Sequence, residues 1–365
     1  FAAEPGLPEG PTIGSEASVQ SEGNSEGNSE GNSEGNSEGN AKKDAPPSGS
    51  DYALPNEESY SDEGQTNPSV ANSVVAKIGN DEYATLQAAI TAACNDTTSN
   101  DATIMLQDNL TLTKGLQFIG SGDTADQWKN ITIDAANKYK LTLNNLGIYA
   151  TRCKVTIQNC PELTVNAGTN PGGTDGSDTN ISAVLFCPGT LTLDKCDTVN
   201  ITNVDPKTSG GSGLCIYNGG DLYIQNNTHF TVSGFMNPGP AGKDGCSGIY
   251  MDREDGDYRS VSGNIVVSGY STLEATNCYH SGITANPVDI TIRDHSELNV
   301  HDNNKDGSGQ GGLSSYFGKL SVEESSRVVS QNNTAMRYSI YVHDLYVDGK
   351  SKIDASYNGF YDSTK

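Results

Sequence analysis

Leu191-Thr-Leu193-Asp-Lys-Cys-Asp-Thr-Val199-Asn-Ile201 is a phrase that the chain keeps repeating. An apolar doublet, Leu191 and Leu193, is followed by a second, Val199 and Ile201, at an offset of eight residues. The same offset links Val155 to Leu163, Leu222 to Phe230, Ile265 to Leu273, Ile290 to Leu298, Leu320 to Val328 and Leu345 to Ile353. Only the first copy differs, with Leu141 ten residues after Ile131. Alternation of apolar and polar residues marks a strand with one face turned inward. A constant offset means that the turn between the two strands is the same each time, and stacking is what enforces that.

Working outward, a third apolar segment precedes each first doublet: Gly147-Ile148-Tyr149, Ala183-Val184-Leu185, Leu214-Cys215-Ile216, Gly248-Ile249-Tyr250, Gly282-Ile283, Gly312-Leu313 and Ile340-Tyr341. Successive first doublets lie 24 to 43 residues apart, so the shortest coil holds three short strands and three turns. The predicted fold is all-β: a right-handed single-stranded parallel β-helix of about eight coils. Each coil buries roughly six large side chains, each worth about 1.5–3 kcal/mol against exposure. Asn145, Asn203, Asn277, Asp302 and Asn332 recur just past the second strand and read as an amide ladder along the axis.

An open β-helix end must be covered. Residues 74–94 suit that role, with a short strand around Val75 to Ile78, a turn at Gly79-Asn80, then a helix from Tyr83 to Cys94 with Leu86, Ala89, Ile90 and Ala93 as one apolar stripe. Tyr83-Ala-Thr-Leu-Gln-Ala-Ala-Ile90, followed by Ala102-Thr-Ile-Met-Leu106, resembles the capping segment of pectin-lyase-like β-helix domains in surface proteins of Gram-positive gut bacteria. The resemblance covers about residues 72–365 and implies a cell-surface protein; that family includes adhesins, binding proteins and enzymes. No capping helix follows the last phrase, Leu345 to Ala355, so further coils are expected beyond Lys365.

Residues 1–70 contain no apolar periodicity and include five copies of Ser-Glu-Gly-Asn from Ser21 to Asn40. Such a segment cannot bury enough apolar surface to offset its ordering entropy, and is read as a disordered spacer ahead of a 71–365 domain. With fourteen acidic and two basic residues it carries about half of the chain's net charge of −24. A surface this negative repels phosphate backbones and anionic lipid, which argues against nucleic acid and membrane surfaces as partners. Phe1-Ala-Ala-Glu-Pro5 looks like the end of a signal-peptidase site, and extracellular location on a bacterial surface is expected. Cys160 and Cys196 occupy one place in successive coils while the other six cysteines share no spacing, so reduced, buried thiols are expected rather than four disulfides.

Stacked coils place equivalent residues about 4.8 Å apart, so a catalytic carboxylate pair should sit at one register in neighbouring coils. Three residues after each anchor come Asp134, Gln158, Asp194, Gln225, Ser268, Arg293, Glu323 and Asp348, where only Glu323 and Asp348 adjoin. The acidic run Asp252-Arg-Glu-Asp-Gly-Asp257 could bind calcium but fails the Asp-x-Asp-x-Asp-Gly loop spacing, and the five histidines fall at five different places in the repeat, so no cofactor is assigned. Two features favour binding. Extra residues collect between second and third strands, giving a rim of loops, and Tyr149, Tyr217, Tyr250 and Tyr341 should point outward beside it. The expected function is non-catalytic: a monomeric adhesin whose partner is a host glycoprotein, bound through a mucin-type glycan, or a host protein such as an immunoglobulin. A polysaccharide lyase or glycoside hydrolase is the alternative, and a stalk with no ligand site is the third.

Overall fold

A computed structural model describes residues 73–144, 147–167, 183–203, 211–236, 247–252, 263–304, 311–335 and 338–360. The acidic tail, most of the expected rim and residues 253–257 of the acidic run lie outside them.

The repeated doublets stack as the offset requires. Ala102, Ile131, Val155, Leu191, Leu222, Ile265, Ile290, Leu320 and Leu345 form one in-register parallel row. The second doublets form a nine-stranded parallel sheet through Leu110, Leu141, Leu163, Val199, Phe230, Leu273, Leu298, Val328 and Ile353. Third strands stack through Leu116, Ile148, Val184, Leu214, Ile249, Ile283, Leu313 and Ile340. These three sets enclose one apolar core, and the fold is a parallel β-helix. The rung through Asp101–Leu106, Leu110–Leu112 and Leu116–Ile119 precedes the Ile131 repeat.

Where the third strand begins, the coils approach closely. A Cβ on Gly248 would lie 2.7 Å from the Gly282 carbonyl oxygen, and one on Gly282 would lie 2.9 Å from that of Gly312. Glycine is required there for want of space.

The cap forms with one boundary moved. Ala76–Ile78 and Asp81–Tyr83 make an antiparallel hairpin around Gly79, whose φ is +57°, and Ala76–Ile78 also pairs antiparallel with Asp101–Leu106. Helix α1 therefore runs Leu86–Asn95, starting three residues after Tyr83, with the Thr85 hydroxyl accepting from the Ala88 amide at 3.0 Å. Leu86, Ala89, Ile90 and Ala93 are buried as the stripe demands. Buried Lys129 donates to the Asp96 and Ser99 carbonyls beyond the helix, a cation where the helix dipole favours one.

Polar ladders run along the core's corners. Between first and second strands, the amides of Cys196, Thr228, Ser271, Ser296 and Ser326 donate to the hydroxyls of Thr228, Ser271, Ser296, Ser326 and Ser351, each at 3.0–3.1 Å. Cys160 and Cys196 begin this inner column, which explains their shared place. The amide ladder past the second strand lies one residue later than expected. Asn277, Asp302 and Asn332 hold left-handed backbone, φ 54°, 56° and 52°, a conformation that short Asx side chains tolerate. Their successors make the ladder: the Cys278, Asn303 and Asn333 amides donate to Oδ1 of Asn303, Asn333 and Asn358 at 3.0–3.1 Å, while Nδ2 of Asn303 and Asn333 reach the Ala275 and Val300 carbonyls. Asn203 sits at the earlier place, buried, and Asn145 is outside the described residues.

Replacing Asn333 by Ala strands the Asn303 amide and the Val300 carbonyl in a dry interior. A loss of about 2–4 kcal/mol is expected from urea unfolding, against about 1 kcal/mol or less for Asn332→Ala on the exposed side. Equal losses would show that the inner residue is not the ladder.

Candidate functional site

Tyrosine placement departs from expectation. Tyr149, Tyr250 and Tyr341 share one row of the third-strand sheet, with Leu185, Cys215, Thr284 and Ser314 between them. Alternation does turn this row away from the core. Outward is not exposed, however: Tyr149 is 1% accessible, and Cys215, Thr284 and Ser314 are buried too. Burial pushes the Tyr149 hydroxyl up to about 12. Tyr149 is thus closed off from solvent, while Leu185, Tyr250 and Tyr341 in the same row are half-buried. Tyr217 lies two residues along its strand, in register with Asp252 rather than with Tyr250. Tyr217 and Tyr250 still pack, ring centroids 5.7 Å apart, and Tyr250 donates its hydroxyl to Asp252 at 2.7 Å. Tyr341 is half-buried against Tyr316 and Tyr338, at 4.8 and 5.2 Å.

The polar rows of the first-strand sheet serve the fold. Asp221 Oδ1 accepts from the Asn264 amide and side chain, and Asp289 Oδ1 accepts from the Lys319 amide. Asp348 caps its own turn; bonds from the Ser351 side chain and from main-chain amides lower its carboxyl to about 2. Among the described residues, no group of three or more His, Cys, Asp or Glu side chains is placed to hold a metal ion, and no helix is long and apolar enough to cross a membrane.

A different cleft emerges at the corner joining first and second strands, four and five residues after each anchor. Its lining is Lys195, Asn226, Asn227, Gly269, Tyr270, Asp294 and His295. Every one of these residues has positive φ, between 53° and 67°. The corners are tied by main-chain bonds: Lys195 to Gln225, Asn226 to Ser268, Asn227 to Gly269, Tyr270 to Asp294 and His295 to Glu324, at 2.8–3.2 Å. Left-handed backbone is ordinary for Asn, Asp and Gly, but for a bulky aromatic it is costly, about 1–2 kcal/mol.

Tyr270 accepts that strain and is also 61% exposed. Its ring stacks on His295 of the next coil, centroids 4.9 Å apart and planes 10° apart. One ring face is thus covered, and the other looks toward the corner of the preceding coil, where the shorter Asn227 leaves a step. Asn226 Nδ2 donates to Asp194 at 2.6 Å below the step. Above it, the Glu324 carboxyl hydrogen-bonds Asp294, and that bond, with the neighbouring charge, holds Glu324 above the usual carboxyl range. Asp294 and Glu324 are a carboxyl pair in adjacent coils at the fourth position after the anchor, one residue past the row that runs from Asp134 to Asp348.

No protein-family model, curated protein or solved structure matches this chain.

A second charged group lies on the outer side of the second-strand sheet. His301 Nε2 bonds Glu274 at 2.7 Å and Nδ1 bonds Asp302 at 2.8 Å. Burial alone would depress this imidazole, but the hydrogen bonds and charges of Asp302 and Glu274 outweigh it and raise its pKa. A group whose folded pKa is raised adds stability that is complete below its unfolded pKa, about 6.5, and is lost as pH rises through the folded value. Wild-type stability, measured by urea unfolding, is expected to fall relative to His301→Gln as pH rises above about 6.5. Parallel pH profiles would refute the coupling.

Proposed function

We propose that the chain is a carbohydrate-recognition protein of a bacterial surface, a non-catalytic adhesin that grips a host glycan at the Tyr270 cleft. The observation that carries this reading is a strained, exposed aromatic. Tyr270 holds backbone strain in a left-handed turn and leaves a hydrophobic ring in water, neither of which helps the fold. An exposed ring with one open face is the usual platform for the C–H face of a sugar. Around it, Asn226, Asn227, Lys195 and Asp294 supply donors and acceptors for hydroxyl groups. A pyranose lying over Asn227 would meet the open face of Tyr270 on its flank.

The composition of residues 1–70, acidic, rich in Gly and Ser and with five Ser-Glu-Gly-Asn copies, is that of a spacer and supports the same reading. A hydrolase would need carboxyl groups about 5–9.5 Å apart flanking the scissile bond. The Asp294–Glu324 pair raises the Glu324 carboxyl above its ordinary value, and the release of reducing ends separates a hydrolase using that pair from an adhesin.

Glycan-array binding by wild type and Tyr270→Asn tests this proposal. Asn is the residue used at the equivalent place one coil earlier, Asn227, so the variant is expected to unfold at equal or higher urea, by about 0.5–1 kcal/mol. Its affinity for the best glycan should fall by about tenfold or more. Undiminished binding would remove Tyr270 from the site, and release of reducing ends from the bound glycan would replace the adhesin with an enzyme.

A further inference from the structure

We infer that the last described coil is a self-complementary docking edge, at which two copies of this chain pair end to end about a two-fold axis. The strands Ile340–Val347 and Lys352–Asp354 each pair with the coil before them, and among the described residues no strand takes their far edges. Leu345 and Val347 continue the inward row beyond Leu320 and Val322, which are fully buried, yet they are 58% and 37% exposed. Ile340, Val342 and Ile353 are half-buried. Core side chains thus reach water beside a row of unpaired main-chain groups. The strand Ile340–Val347 carries neither the Pro nor the Lys that commonly guards such an edge.

The occupant follows from a symmetry in the strand itself. One bond runs from the Leu313 amide to the Ser339 carbonyl and another from the Asp348 amide to the Val322 carbonyl, and these fix which residues turn back toward the preceding coil. Alternation then turns the N–H and C=O groups of Ile340, Val342, Leu345 and Val347 to the open edge. An antiparallel copy centred between His343 and Asp344 sets Ile340 opposite Val347 and Val342 opposite Leu345. Each of those pairs exchanges two main-chain bonds and joins core residue to core residue. At the centre each exposed His343 meets the other copy's exposed Asp344, so the charges match as well.

The second-strand edge has the same property. The Lys352 amide donates to the Ser326 carbonyl, which leaves the Ile353 main chain facing the open side. Centred there, an antiparallel copy sets Ile353 against Ile353 and Lys352 against Asp354 in both directions. Asp354 is held in place for that lysine by Gln331, at 3.1 Å, and Arg327, at 3.8 Å. In a three-sided coil the corner between third and first strands lies across from the second strand, so one axis normal to the stack can serve both centres. At the other end of the stack the first- and third-strand edges are taken: Ala76–Ile78 pairs with Asp101–Leu106, and Gln87 bonds the Gln117 main chain. A last-coil edge therefore meets another last-coil edge, and the assembly closes at two copies instead of running on as a filament. Such a pair presents every outer surface twice, whatever the Tyr270 cleft binds, so a ligand fixed on a surface would be met bivalently.

Sedimentation equilibrium of the full 38.4 kDa chain tests the pairing, with a concentration-dependent rise to twice that mass expected over about 1 to 100 μM. Leu345→Asp places a carboxylate among the paired core residues and should raise the dimer dissociation constant about tenfold or more. Ile353→Cys supplies a second readout that does not depend on weakening anything. Its two copies face each other across the axis with Cα atoms about 5.5 Å apart, within disulfide reach, so oxidised glutathione should give a covalent dimer. Adding Leu345→Asp to Ile353→Cys should suppress that link. A wild-type chain that stays monomeric, its edge bare or covered by other residues of the same chain, would overturn the proposal. So would a dimer that Leu345→Asp leaves intact, or one in which Ile353→Cys does not cross-link.

Discussion

Every rung of this protein is hydrogen-bonded through its backbone to the rung before and after it, in register. A parallel stack cannot absorb a one-residue slip, because a slip would turn each inward side chain outward along the whole row. The eight-residue path from first to second doublet is therefore nearly fixed, while length varies in the connections between second and third strands and, at Leu116 to Ile131 and Ile249 to Ile265, between third and first strands. The ten-residue path from Ile131 to Leu141 makes the same point from the other side. Its two extra residues are taken up in the turn, where Ala136 and Asn137 adopt left-handed backbone, and Leu141 still lands opposite Leu163.

In-register stacking turns single residues into continuous columns, and that changes what a buried polar group costs. A lone Asn in an apolar core leaves donors and acceptors unmet. In a column, each amide meets the peptide groups of the neighbouring coil, so Asn303 and Asn333 are fully buried and fully bonded. The hydroxyl column from Thr228 to Ser351 works likewise, and Cys160 and Cys196 end it with thiols that need only a weak partner. Such columns are cooperative: a substitution breaks the bond above as well as the one below.

The apolar rows are legible in the sequence because hydrophobic spacing is a direct projection of the register. Both doublets of every coil fall in register where the spacing puts them, and all but Leu345 and Val347 of the last first strand, which stay exposed, and Ile353, which is half-buried, are buried in the interior. The amide ladder lies one residue past the recurring Asn, since Asn serves two purposes in adjacent positions, tolerating left-handed backbone at Asn277 and Asn332 and bridging coils at Asn303 and Asn333. Outward direction is legible for Tyr149 but exposure is not, because alternation says which side of a strand a residue is on and nothing about what covers that side. The Asp294–Glu324 pair does leave a trace in the sequence, two carboxyls in adjacent coils at the fourth position after the anchor rather than the third. The Tyr270–His295 stack leaves a similar one, two rings at one register in consecutive coils. Left-handed backbone at those residues leaves none, since the same corner uses a single positive-φ residue in the coils of Asn159 and Lys195 and two in the later coils.

The corner between first and second strands is the place where such a scaffold can vary its chemistry most freely. On the flat sheets each outward side chain is flanked at about 4.8 Å by its counterparts, and several bond to them, as Asn166 does to Asn144 and Thr231 to Glu274. Core positions are fixed by packing. At the corner, by contrast, the main chain supplies coil-to-coil bonds, as from Tyr270 to Asp294 and from His295 to Glu324, so the stacking does not depend on side-chain contacts such as the Tyr270–His295 stack. Pairs in one position, Asn226–Asn227, Gly269–Tyr270, Asp294–His295 and Glu324–Ser325, consequently differ in size, charge and shape while their backbones stay alike. Differences in length between neighbours, such as Tyr270 beside Asn227, become steps along the ridge. A ligand surface can thus change residue by residue without disturbing the register on which the fold rests, limited only by the strain that each non-Asx residue accepts in a left-handed turn.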